Sequence, residues 1–452
     1  MKITLTVHHF PPNYLAGTEV YTFRLANWLL RRGHTVDVIC IESITDAAPG
    51  EIRHTHEVYE DLSVYRLYFN LGQAADPFRH SYDNPAIGRW FADFLQRERP
   101  DLVHLHSGYL MSASIVAATK QQFLPLVVTL HDFWFVCPRI TLLKPTGVVC
   151  RVPKNVAECA WCLAMDKRRF RWPELASRGA AGVLAQALLA SPAGAGLLGI
   201  QPDAGEIARR RRVLIEALKQ ADLILSPSEF LRGIFVEQGI DPAKILYSRL
   251  GLDSGHWNVS SAADRMPSGH LRFSYIGQLV PHKGVHLLIA AFNRLSHSRR
   301  PARLIIYGNT SAFPRYVQRL YAMAKHNPAI ELAGQFENRE VANILRQTDV
   351  LVVPSIWYEN SPVAILEALT TGTPVVGSNL GGIPELVQHD VNGLLYQAGS
   401  VADLARQLQR LSDEPGLVAR LASQVRPART IDDEMEGIVA LYGNLSARRA
   451  VV

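Results

Sequence analysis

Glu359 and Glu367, separated by seven residues, are the pair most clearly placed for chemistry. An apolar run, Val350-Leu-Val-Val-Pro354, leads into the loop Ser355-Ile-Trp-Tyr-Glu359-Asn360. Ser361-Pro362 then offers an N-cap and a proline at the first helical position, and Gly372 offers a stop. A helix starting there aims unpaired N–H groups and a positive dipole end beyond the strand, which suits a pyrophosphate. Glu359 lies in the loop and Glu367 one to two turns inside the helix, so one can face a sugar while the other accepts hydrogen bonds from ribose hydroxyls. The stretch Tyr275-Ile-Gly-Gln278-Leu-Val-Pro-His-Lys283-Gly284 repeats the plan, with Lys283 at the mouth of a glycine-containing loop. Ala16-Gly17-Thr18-Glu19 is a third such loop, where Gly17 lets backbone approach a phosphate or makes a tight turn. None of the three is G-x-G-x-x-G or a Walker motif, so NAD and ATP lack their fingerprints.

The elements that must hold these loops alternate between strand-like and helical patterns, as in a largely parallel α/β fold. Strands are predicted at 3–8, 35–41, 62–69, 102–106, 126–131 and 223–226, then at 271–276, 303–307, 349–353 and 374–377. A helix from Gly17 places Val20, Phe23, Ala26 and Leu30 on one stripe and ends at Arg31-Arg32-Gly33. Val285, Leu288, Ile289 and Phe292 make a second stripe. Residues 251–269 are polar and aperiodic and read as a linker. It divides an N-terminal lobe (1–250) from a C-terminal lobe (270–430), with a helix and tail over 431–452. The chain has 452 residues, 48% hydrophobic and 19% charged, with a formal charge of +6. That fits two or three globular domains with a phosphate-bearing or anionic partner, and no nucleic-acid-binding motif is present.

Four of the five cysteines, Cys137, Cys150, Cys159 and Cys162, fall in one window within an expected insertion over 137–215. With no secretory leader, the thiols read as cytoplasmic, and their spacing suggests structural zinc, with an iron–sulfur cluster or free thiols as alternatives. Cys40 reads as core. Residues 179–202 are uncharged and rich in Ala, Gly and Leu, with Lys167, Arg168, Arg169, Arg171 and Arg178 before them and Arg209–Arg212 after. Ser191-Pro192 breaks any spanning helix, leaving a buried helical hairpin or an interfacial membrane contact. His8, His9, His104 and His106 end apolar strands and are acceptor-side candidates.

Together these motifs resemble the retaining glycosyltransferases of the GT-B fold known as family 4, over roughly 1–135 and 220–430. Glu359-x7-Glu367 is similar to the family's E-x7-E, and 275–284 to its lysine-glycine loop. Gly381-Gly-Ile-Pro-Glu385, with Asn392-Gly393-Leu394, resembles the segment that follows, and His131-Asp132 the strand-end histidine. The resemblance implies two Rossmann-like lobes with parallel sheets facing a cleft, and a nucleoside-diphosphate sugar as donor. A glycan or polyprenyl-linked glycan would be the acceptor, and no catalytic metal is implied. It assigns His131 and Glu359 to the reacting sugar, and Gly17, Gln278, Lys283, Ser361 and Glu367 to donor binding. Gln278 stands where most members carry arginine. The rival readings are a GT-B sugar-nucleotide epimerase, a phosphorylase, and a non-catalytic nucleotide-sugar binder.

Overall fold

The computed structural model describes residues 1–253, 268–296 and 300–449. The chain divides into two compact units, one of 1–227, 231–248 and 435–452, the other of 228–230 and 249–434. Most of the expected linker, 254–267, lies outside the described residues.

Unit 1 is built on β1 (Lys2–Val7), β2 (Thr35–Ser43), β3 (Arg53–Tyr59), β4 (Leu62–Tyr68), β5 (Leu102–Leu105), β6 (Leu126–Thr129), β7 (Leu223–Ser226) and β8 (Ile245–Tyr247). Their order is β3-β4-β2-β1-β5-β6-β7-β8, parallel except that β3 runs antiparallel to β4. Unit 2 is built on β9 (Leu271–Ile276), β10 (Ala302–Tyr307), β11 (Ile330–Gly334), β12 (Val350–Val353), β13 (Val375–Ser378) and β14 (Gly393–Tyr396). These lie parallel in the order β11-β10-β9-β12-β13-β14. Both units are thus Rossmann-like, with central strands such as Val350-Leu-Val-Val353 fully buried, as covered parallel sheets require. Each sheet reverses its winding once, between β1 and β5 in unit 1 and between β9 and β12 in unit 2. Such a switch opens a crevice at the strands' carboxyl ends.

Helix Gly17–Arg31 ends as expected, with Gly33 left-handed at φ +81°. Its buried face differs from the expected stripe, being formed by Tyr21, Leu25, Ala26, Trp28 and Leu29, while Val20, Phe23 and Leu30 are only half-buried. The stripe of Val285, Leu288, Ile289 and Phe292 is fully buried. The C-terminal helix, Ile431–Arg449, buries Met435, Ile438 and Tyr442 in unit 1.

Five helices connect β6 to β7: Ala157–Ala164, Arg168–Ala176, Ala180–Leu189, Pro192–Leu198 and Ala204–Lys219. They share a small core that includes Cys159, Trp161, Met165, Ala185, Leu189 and Ile207. Ser191 Oγ accepts from Gly194 N–H at 3.1 Å, and Pro192 opens the next helix, so Ser191-Pro192 makes the hairpin corner. Gly194 is required there, because a Cβ would lie 2.0 Å from Leu188 O. The hairpin is buried on one side only. Of the flanking arginines, Arg210 is buried against Trp134 O (2.6 Å) and Arg211 donates to Pro153 O (2.7 Å), so that run is no uniform basic flank.

Candidate active site

In unit 2 three loops meet where the winding reverses. The loop after β9 is held by Tyr275, whose buried hydroxyl donates to Gln278 O at 2.7 Å. The loop after β12 is tied to it by Ile356 N–H donating to His282 O at 2.9 Å. Gly284, at φ +75°, lies so close that a Cβ would stand 1.9 Å from Pro354 O. The loop after β13 closes the other side, with Gly382 N–H donating to Glu359 O at 2.6 Å. A Cβ on Gly381 (φ +62°) would stand 2.7 Å from that same oxygen, so side chains there would push the loop away.

This framework sets the Glu359 carboxylate, 7% exposed, at the centre. Its Oε1 accepts from Lys283 Nζ (2.7 Å), Ser355 Oγ (2.6 Å) and Trp357 Nε1 (2.8 Å). Burial alone would raise its pKa, but the Lys283 charge and these hydrogen bonds outweigh burial and hold the carboxyl below its ordinary value. Lys283 Nζ also lies 5.2 Å from the Trp357 ring centre, and an ammonium has three donors, so two remain for a ligand. Burial and the Lys283 charge push neighbouring His282 down to about 4, leaving Lys283 the cation of this loop at neutral pH. Gln278 is exposed on the same loop.

The helix beyond differs from expectation at its start. It spans Val363–Thr370, with Pro362 rather than Ser361 at the N-cap position and no side-chain cap. Ser361 Oγ is buried without a hydrogen-bond partner. Pro362 is itself extended (φ −68°, ψ 113°) rather than helical, so it takes the N-cap position and Ser361 lies one residue outside it. The first-turn N–H groups are thus left uncapped by any side chain, and Glu367 is the fifth residue of this helix, partly exposed.

His131 and Gly17 belong to unit 1. His131 follows β6, with its Nε2 3.4 Å from His106 Nδ1 and its ring 5.0 Å from Tyr21. Burial, then repulsion by His8, pushes it down to about 3, so it is neutral at physiological pH. Sequence reasoning missed Glu19, which is 3% exposed and pairs with His8 Nε2 at 3.1 Å. Its signal was the Gly17-Thr18-Glu19 spacing, which points the acid back at the end of β1. Glu19 Oε2, His8 Nδ1 and His106 Nε2 have no hydrogen-bond partner. Two of the acceptor-side candidates are hydrogen-bonded within the fold, His104 through both ring nitrogens and the partly exposed His9 through one. His104 is completely buried between Tyr442 OH and Thr129 Oγ1 (2.7 Å), and His9 donates to Ile41 O at 2.8 Å.

Gly17 opens helix Gly17–Arg31, and a Cβ there would meet nothing within 4 Å, so no tight turn requires it. Gly17→Ala is therefore expected to leave the melting temperature unchanged or slightly raised, alanine being the better helix former by up to about 1 kcal/mol. A thermal melt that falls by several degrees would place the glycine in the fold instead.

The four clustered cysteines line one small cavity, but the expected zinc or iron–sulfur site is not formed. Among the described residues, no group of three or more His, Cys, Asp or Glu side chains is placed to hold a metal ion. Two of the thiols have other partners: Cys150 Sγ donates to Arg151 O at 3.0 Å, and Cys159 Sγ accepts from Arg211 at 3.5 Å. Cys40 is core, and burial pushes its thiol up to about 12.

Comparison with known proteins gives the family and the fold. Residues 261–427 match the family described as glycosyl transferases group 1, and residues 16–157 match a glycosyl transferase 4-like domain. The glycogen synthase of Mycobacterium tuberculosis is 30% identical over 456 residues, covering 99% of this chain and 95% of the relative. The colanic acid glycosyltransferase WcaL of Salmonella typhimurium, a putative assignment in its own name, is 30% identical over 202 residues, 44% of this chain and 49% of the relative. Among solved structures, a sucrose-phosphate synthase from Thermosynechococcus elongatus superposes with a TM-score of 0.65 at 18% identity, covering 99% of both chains. HepE of Anabaena, solved with UDP-glucose, superposes at 0.58 and 15%, covering all of both. These two share the GT-B fold with it; the full-length identity goes further, and the chain belongs to the glycosyl transferases group 1 family, as a glycosyl-transferring enzyme.

Proposed function

We propose that the protein is a retaining glycosyltransferase, working in the cytoplasm with a nucleoside-diphosphate sugar as donor. Its acceptor would be a glycan or a polyprenyl-linked glycan. The observation that carries this reading is the Lys283–Glu359 pair beside the uncapped start of helix Val363–Thr370. A diphosphate at that helix end would meet free N–H groups, the unpartnered Ser361 hydroxyl and the two remaining Lys283 donors. Glu367 would accept from the ribose hydroxyls, and Glu359 would face the sugar. The bond from the anomeric carbon to the diphosphate oxygen breaks as the acceptor oxygen bonds on the same face. The acceptor proton leaves with the diphosphate. Lys283 and the helix start stabilise charge that grows on the leaving oxygen, where fixed donors act most strongly. The UDP-glucose held by HepE supports such a donor, and the mycobacterial relative's name, glycogen synthase, supports a glycan as acceptor.

Release of nucleoside diphosphate from a panel of donors, with and without bacterial glycan extracts, tests the reading. Acceptor-stimulated release is expected, whereas binding without any release would favour a non-catalytic nucleotide-sugar binder. One observation favours that rival, namely the neutral, exposed Gln278 on the phosphate-side loop. Gln278→Arg is accordingly expected to tighten diphosphate binding about 5- to 10-fold, by exchanging a neutral for a charge-assisted hydrogen bond. Weaker binding by a folded arginine variant in calorimetry would show that this loop does not meet the phosphates.

A further inference from the structure

We infer that the helices between Arg168 and Leu198 form a docking face for an anionic lipid surface. Trp172, Leu175, Val183, Leu184, Leu188 and Leu197 are each 45–80% exposed. Elsewhere among the described residues, the large apolar side chains that are exposed are scattered singly or in pairs, which is ordinary for a protein surface; six within 26 residues are not. The pattern is amphipathic. On helix Ala180–Leu189 the residues Gly182, Ala185 and Leu189 turn into the local core, leaving Val183, Leu184 and Leu188 outward.

Charge selects the partner. Between residues 167 and 202 there are five basic residues, Lys167, Arg168, Arg169, Arg171 and Arg178, and one acid, Glu174. That acid is turned inward, accepting from Trp161 Nε1 at 3.1 Å, while Lys167, Arg168, Arg169 and Arg178 are exposed. Apolar side chains beside unopposed cations match a bilayer with anionic headgroups, where leucine and tryptophan enter the interface and arginines stay at the phosphates. The contact is superficial, because no helix among the described residues is long and apolar enough to cross a membrane. It deepens the proposed function by placing a lipid-linked acceptor within reach of a surface-bound enzyme.

The test uses the full chain with vesicles of phosphatidylcholine alone or with 30% phosphatidylglycerol, read by co-sedimentation without donor or acceptor. Failure therefore leaves the glycosyl-transfer reading untouched. Binding to the anionic vesicles is expected to exceed that to neutral ones at least about 10-fold and to fall with salt. Arg168→Gln/Arg169→Gln/Arg178→Gln should weaken it by a similar factor. Val183→Ser/Leu184→Ser/Leu197→Ser should weaken it at constant charge, and circular dichroism checks that both variants are folded. Absence of binding at low salt, or binding unchanged in both variants, would overturn the proposal. So would light scattering that shows a dimer abolished by the serine variant, since the face would then meet a second copy of this chain.

Discussion

With Lys283 replaced by methionine, the protein is expected to lose about 10²–10³-fold in glycosyl transfer and about 3 kcal/mol of stability together. The stability loss arises because the Glu359 carboxylate is buried and the substitution removes the cation that, with the Ser355 and Trp357 hydrogen bonds, offsets its desolvation. Lys283 keeps 23% of its side chain exposed, which puts the cost at the lower end of the range for broken buried pairs. Its pH dependence has a definite sign. In the parent protein the carboxyl is held below its unfolded value, so the pair's contribution is present above the unfolded pKa and is lost as pH falls through the folded one. In the variant, burial acts without the lysine and raises the carboxyl, so the penalty is greatest at neutral pH and shrinks toward pH 4. Urea unfolding at pH 7 and pH 4.5 measures this, and an equal deficit at both would contradict the pairing.

The second large effect is a division of labour between the two glutamates. Glu367→Ala is expected to weaken nucleotide-sugar binding about 10- to 100-fold, the loss of a charge-assisted hydrogen bond to ribose, with turnover at saturation little changed. Glu359→Gln should do the reverse and lower kcat by about 10²-fold or more with a small change in KM, since on the proposed reading its charge would face the reacting sugar while paired with Lys283. The amide can still accept from Ser355 and Trp357, so the variant should remain folded. Small and equal effects in both variants would separate the pair from the reaction.

The sheets were legible because buried parallel strands are continuous apolar runs such as Val350–Val353 and Leu223–Ser226. Strand β3 escaped because Arg53-His-Thr-His-Glu-Val-Tyr59 is a polar, exposed edge whose only call to order is antiparallel pairing with β4. The three-residue β8 offers too little pattern, and β11 alternates buried Ile330 with exposed Glu331. The stripe on helix Gly17–Arg31 was misread because apolar residues occur on both faces, and packing chose Trp28 and Leu29 over Leu30. At the site, Glu359, Glu367 and Lys283 could be singled out by spacing. Ser355 and Trp357 as partners of Glu359, and Glu19 as partner of His8, depend on how loops fold back. The cysteines show the limit of spacing from the other side, since four thiols can share a cavity without converging on a point.

The central claim is most directly tested by following α-configured nucleoside-diphosphate sugars by proton NMR in the presence of the protein and a glycan extract. The expected result is loss of the donor's anomeric signal, release of the nucleoside diphosphate and a new α-linked product, all abolished by Lys283→Met. A β-linked product would contradict retention, and undiminished consumption by the methionine variant would remove the reaction from the Lys283–Glu359 site.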